Sequence, residues 1–309
     1  MANFYGQYVG FGAGVSGPGY VYQGESYGYT HGGEGAPTST DYDRIDRFSF
    51  TSDGDATDVG NLAAVVDYSS GANSKTYGYM TGGRGGARIE KYSFASGSAD
   101  ATDVGDLAAA NTSSGSGVSS ETYGYHCGGW DYTAVAASNV KQKFSFTSDG
   151  DSTDADDLSV TRIQTGGHTD TVYGYNTCGA NGATLYNIID RWPFASDGNS
   201  VDVGDMTVAQ HRMGGSSSLT HGYCTGGSGL NVIDKFAFGS SATGSDVGNI
   251  PSTAGLGLSG HSSTTHGYAS SVGGLNSDQI CKYSYSSDGD STDVGDLTLA
   301  RSYVGGTHV

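Results

Sequence analysis

The chain has 309 residues and a formal net charge of −18, with 14 Lys and Arg against 32 Asp and Glu. Such negative charge repels phosphate backbones and anionic lipid surfaces, so neither nucleic acid nor a membrane is expected as the main ligand. Leu, Ile, Val and Phe make up only roughly 16% of the chain, a share that alone would mark disorder, but 22 Tyr supply rings to bury and 53 Gly let backbones pack closely.

The first residues, MANFYGQYVGFGAG, lack the basic flank and apolar stretch of a signal peptide. No apolar run approaches the ~18 residues of a membrane span. Synthesis in a cytoplasm is therefore expected. Residues 1–24 precede the first repeat and read as an arm, either a competing first strand or a docking segment, with docking preferred.

The first full unit then begins. Tyr27-Gly28-Tyr29 is followed by Gly32-Gly33, and next comes Ile45-Asp46-Arg47-Phe48-Ser49-Phe50, whose alternation puts Phe48 and Phe50 on one face of a strand. Ser52-Asp53-Gly54-Asp55 carries the Asp-Gly step of a hairpin turn, in which Gly supplies a positive φ. Asp58-Val59-Gly60-Asn61-Leu62 closes the unit. The aromatic-Gly-Tyr triplet returns at Tyr77, Tyr123, Tyr173, His221 and His266. Further strands open near Arg162, Arg212 and Arg301, each shortly before a Gly pair.

Four short strands per unit make one antiparallel sheet that cannot bury both faces alone, so the units must stack around an axis. The expected fold is all-β: a six-bladed β-propeller of four-stranded antiparallel blades over residues 25–309. Its N- and C-terminal strands are expected to share one blade, because the C-terminus ends on Tyr303-Val304-Gly305-Gly306, a first strand without the remainder of its unit.

Strand order sorts the connections onto two faces. The Asp-rich turns, with Asp53, Asp149, Asp197 and Asp288, are expected to ring one face as a solvated, repulsive surface. The opposite face collects the irregular loops between second and third strands, together with most arginines. Variable loops on a regular scaffold are where recognition is written. Trp130, Asp131, Tyr132, Tyr42, Tyr186, Arg84 and Arg88 are therefore the candidate residues for binding a glycan or partner, set against simple packing of loop aromatics onto neighbouring blades.

Chemistry finds less support. Turns such as Asp149-Gly150-Asp151 could offer carboxylates to calcium, but they lack the bidentate Glu and register of an EF-hand, and hairpin geometry explains them. No cofactor is expected. The histidines read as strand residues rather than metal ligands. Cys127, Cys178, Cys224 and Cys281 fall in different repeats and are expected to be free thiols. No nucleophile-base pair or phosphate loop stands out, so no enzyme is expected.

The order of elements, Gly-Gly after a strand, an aromatic in the next and a strand ending near Arg, resembles the kelch family over roughly residues 25–309. It departs from that family where Val59 and its equivalents replace the usual Trp. The wording of the repeats (His-Gly-Tyr, Ile-Asp-Lys-Phe, Ser-Asp-Gly-Asp, Asp-Val-Gly-Asp-Leu) is similar to that of structural proteins of marine tailed bacteriophages. The resemblance implies a non-enzymatic virion protein, a head decoration or tail-associated knob. It would contact other virion proteins and host surface glycans, reaching the outside by lysis. The alternatives are a bacterial extracellular lectin-like propeller and a copper enzyme similar to galactose oxidase.

Overall fold

The computed structural model describes residues 23–35, 40–84, 86–95, 98–109, 112–239, 241–252 and 256–309. The proposed arm, up to residue 22, lies outside them. Among the described residues there is no helix, and hence none long and apolar enough to cross a membrane. Six antiparallel four-stranded blades form a closed ring. Blade 1 runs outward from Gly305–His308 through Tyr27–His31 and Arg44–Ser49 to Thr57–Asn61. Both chain ends thus share one blade, with Gly28 opposite His308 and His31 opposite Gly305. The innermost strands of blades 2 to 6 are Ser70–Asn73, Ser116–Ser119, Gly166–Thr169, Gly214–Ser217 and Ser259–Ser262. Each packs against the innermost strands of its two neighbours, which closes the ring.

The repeated motifs build the seams between blades. A Cβ on the triplet glycine would stand only 2.3 Å from the Phe48 ring at Gly28 and 2.4 Å from Trp192 at Gly174. Glycine here makes room for the large aromatic of the third strand. The second triplet tyrosine is buried in every blade. Its ring packs on the next blade's strand-end aromatic, as Tyr29 on Phe94, Tyr79 on Phe146 and Tyr268 on Phe50, at 4.7–4.9 Å between centroids. These rings replace the missing aliphatic core, and offset aromatic pairs add about 0.5–1.5 kcal/mol each beyond the area they bury.

The Asp-rich turns are latches as well as turns. The second Asp accepts a hydrogen bond from the preceding blade's outermost strand, Asp106 N to Asp151 at 2.9 Å and Asn249 N to Asp290 at 2.9 Å. The first Asp pairs with a lysine of that same preceding blade: Lys91 with Asp149 (2.5 Å), Lys235 with Asp288 (2.6 Å), Lys282 with Asp53 (2.5 Å) and Lys143 with Asp197. The glycine of Asp-Val-Gly lets the turn approach, since a Cβ on Gly105 would lie 2.4 Å from the carbonyl carbon of Gly150. The expectation of a merely solvated acidic ring is therefore corrected. Much of that charge is committed to neighbouring blades, because each turn must seal a seam that the short outer strand leaves open.

Two arginines expected on the recognition face are interior. Arg162 and Arg301 are fully buried, paired with the equally buried Asp190 (2.8 Å) and Asp46 (3.2 Å). Histidines are buried too. Burial, with Arg301 and His261 nearby, holds His31 down to about 3, and burial alone holds His126 down to about 4. A folded-state pKa below the unfolded ~6.5 contributes stability that is present above pH ~6.5 and lost as the pH falls through 3–4. In an NMR titration, the His31 and His126 ring signals should stay those of neutral imidazole down to about pH 4.5. A midpoint near 6.5 for either would show that its ring reaches water.

Candidate functional site

At the axis, on the face with the loops between second and third strands, six structurally equivalent residues form a ring. Tyr68, Ser114, Gln164, Arg212, Gly257 and Tyr303 all have left-handed φ, between 54° and 67°. Each lies two residues before the inner-strand start, and backbone bonds join them in sequence. Tyr68 N donates to Tyr303 O (3.0 Å), Ser114 N to Tyr68 O (2.8 Å), Gln164 N to Ser114 O (2.5 Å) and Arg212 N to Gln164 O (3.0 Å). Around Gly257 the belt slips by one residue: Leu258 N donates to Arg212 O (3.4 Å), Val304 N to Gly257 O (3.3 Å) and Tyr303 N to Leu256 O (3.1 Å). Left-handed backbone is costly for residues with a Cβ. The belt holds five such residues there, so a regular backbone carries a different side chain from each blade.

Those side chains converge. The Tyr68 and Tyr303 rings stack at 3.8 Å and 20°. The Arg84 guanidinium lies 5.0 Å from the Tyr68 ring and that of Arg212 lies 5.8 Å from Tyr303. Arg212 Nε donates to Gln164 Oε1 at 3.1 Å. Tyr68, Tyr303, Gln164 and Arg212, with Ser114 and Thr165, line an open depression. Burial, then the neighbouring Tyr303 hydroxyl, raises the Tyr68 phenol, so it stays protonated and able to donate. Below the mouth, inner-strand glycines bring backbones so close that a Cβ on Gly117 would stand 1.9 Å from Gly71 O. The same strands line two further spaces along the axis, one with Asn73, His168 and His308 on its wall and the other with Thr165 and Met213.

Charge at the rim is uneven. Arg84 bridges Glu34 (3.1 Å) and the buried Asp67 (2.5 Å). Burial pushes the Asp67 carboxyl up to about 7, against the pull of Arg84. Glu34, Asp41 and Asp67 are, among the described residues, the one group that could offer a metal three donors, and the Arg84 guanidinium already supplies it with positive charge. The Asp-rich turns form no such group among the described residues. Arg212, by contrast, has no acidic partner among the described residues and stands as a cation at the mouth.

Of the sequence candidates, Arg84 reaches the mouth through Tyr68, while Arg88, Trp130 and Asp131, expected on loops, are strand residues. Arg88 pairs with the buried Glu90 at 3.1 Å. Tyr42 packs over Gly35, where a Cβ would stand 2.5 Å from its ring. Trp130 and Asp131 continue the second strand of blade 3, paired with Ala137 and Ala136, and Tyr132 follows, 41% exposed. Tyr186 is half-buried and donates its backbone N–H to Gly179 O. Sequence reading missed Tyr68, Gln164 and Tyr303, and it grouped Arg212 with Arg162 and Arg301. The signal was the spacing: Arg162 and Arg301 stand four residues before their glycine pair, Arg212 only two.

No protein-family model matches the chain, and no curated protein matches it. Among solved structures it is similar to one described as the structure of YjhT, with a TM-score of 0.67 and 10% identity, covering 79% of this chain and 88% of that one. At that identity the likeness shows the fold alone.

Proposed function

We propose that this protein is a non-enzymatic, kelch-like binding propeller of a tailed-phage virion, a head decoration or tail-associated knob, which recognises a virion partner or host surface glycans through the face bearing the axial mouth. The observation that carries the choice of face is the ring of different side chains on one backbone belt, among them Arg212, which has no acidic partner among the described residues. The opposite face repeats one latch from blade to blade and has little left to distinguish one ligand from another. Phage origin rests on the wording of the repeats, and the acidic surface suits a particle released into a salty medium.

Two measurements test the reading. A mass-spectrometric inventory of purified virions from the source should contain this chain, and its absence would remove the virion assignment. Glycan-array binding should fall by roughly tenfold or more, about 1.4 kcal/mol or above, in Arg212→Ala and in the Trp130→Ala/Tyr132→Ala pair. Asp53→Ala and Asp288→Ala should change it much less. The reverse ranking would move recognition to the acidic face.

A further inference from the structure

Two of the four buried cysteines meet across a seam. Cys178 and Cys224 belong to one packed cluster between blades 4 and 5, each fully buried. Cys178 stands at a left-handed position, φ 57°, where four other blades place glycine: Gly32, Gly82, Gly128 and Gly226, with φ of 62–66°. Blade 6 places Ser271 there, φ 65°, so the turn accepts a Cβ, and blade 4 gives it a sulfur. Its neighbour is also set apart. Cys224 Sγ is 3.0 Å from Thr177 Oγ1 and 3.6 Å from His168 Nε2. His168 Nδ1 lies 3.0 Å from Ser216 O, a carbonyl that can only accept. The Nδ1 therefore carries the proton, so Nε2 is an acceptor that faces both Thr177 Oγ1 at 2.9 Å and the Cys224 thiol at 3.6 Å. Cys127 and Cys281 have no such arrangement, and burial pushes both up to about 12.

We infer that Cys178 and Cys224 are a dithiol that oxidises to a disulfide, locking blade 4 to blade 5 when the protein passes from a reducing to an oxidising medium. The oxidant is a small disulfide such as glutathione disulfide. Cys224 loses its proton to His168 Nε2, and the thiolate attacks one sulfur of the reagent and expels a thiolate, which takes up a proton. The Cys178 thiol then gives up its proton and attacks the Cys224 sulfur of the mixed disulfide, expelling the second small thiolate, which takes up that proton. Two thiols and one disulfide are consumed, and one disulfide and two thiols result. Because both sulfurs are buried, the reagent enters through local opening of the seam. The bond closes a loop of about 46 residues, so it constrains the unfolded chain.

The folded protein is incubated with glutathione disulfide, then denatured, alkylated and digested without reduction. Free thiols should fall from four to two, and mass spectrometry should find the peptides of Cys178 and Cys224 joined, with a thermal midpoint several degrees higher than in the reduced protein. Cys281→Ser should keep the coupling, whereas Cys178→Gly, the residue other blades carry there, should fold and show no redox-dependent midpoint. Four alkylated thiols after incubation at a temperature where hydrogen exchange reports opening of the seam would overturn the proposal. So would a stable mixed disulfide on Cys224, or an unchanged redox shift in Cys178→Gly.

Discussion

Gly117→Ala is expected to cost at least ~3 kcal/mol and to leave little soluble protein. Overpacking a core with one methyl usually costs about 1–3 kcal/mol because side chains move aside. Here the added Cβ would meet backbone, 1.9 Å from Gly71 O and 2.6 Å from its carbonyl carbon. Gly71 is pressed against Gly306 O in the same way, at 2.0 Å, Gly167 against Gly117 O at 2.2 Å and Gly260 against Gly215 O at 2.1 Å. The ring is closed, so blade 3 cannot retreat from blade 2 without crowding blade 4. Gly274→Ala is the control, because nothing lies within 4 Å of its Cβ position. Urea unfolding midpoints of the two variants decide the matter: equal stability would mean that the axis is looser than these distances imply.

That glycine ring marks the limit of what the sequence could reveal. The six units, the four strands in each and the shared first blade were legible because a period near 50 residues and the Tyr-Gly-Tyr and Asp-Gly signals are local. The partner of each motif lies in another blade and was not legible. Asp151 reads as half of a hairpin turn, yet its carboxylate serves the backbone of Asp106 in the preceding blade. Val59 sits where the register between third and fourth strands shifts, with Ile45 opposite Gly60 and Asp46 opposite Asp58. The candidate site was half legible. Loop irregularity pointed to the end of the molecule that carries the belt, where Arg84 lies over Tyr68, but the belt is made of backbone conformation, and Tyr68, Gln164 and Arg212 share no residue type that a pattern search could align.

The same limit explains why Arg301 read as a surface cation, and its replacement is the second large effect. Arg301→Met is expected to destabilise the propeller by about 3–5 kcal/mol at pH 8, since removing one member of a buried pair strands the other's charge. Arg301 Nη2 reaches both Asp46 Oδ2 (3.2 Å) and Thr30 O (3.1 Å), tying the blade 6 to blade 1 connection to two strands of blade 1. Asp46 keeps only neutral partners in the variant, Thr298 N at 3.0 Å and Thr298 Oγ1 at 2.6 Å. Arg301→Met with Asp46→Leu should recover much of the loss, because an apolar pair leaves no charge to solvate. Urea midpoints of the single and the double variant at pH 8 measure this directly. A double variant no more stable than Arg301→Met would mean that Arg301 acts through packing rather than through its charge.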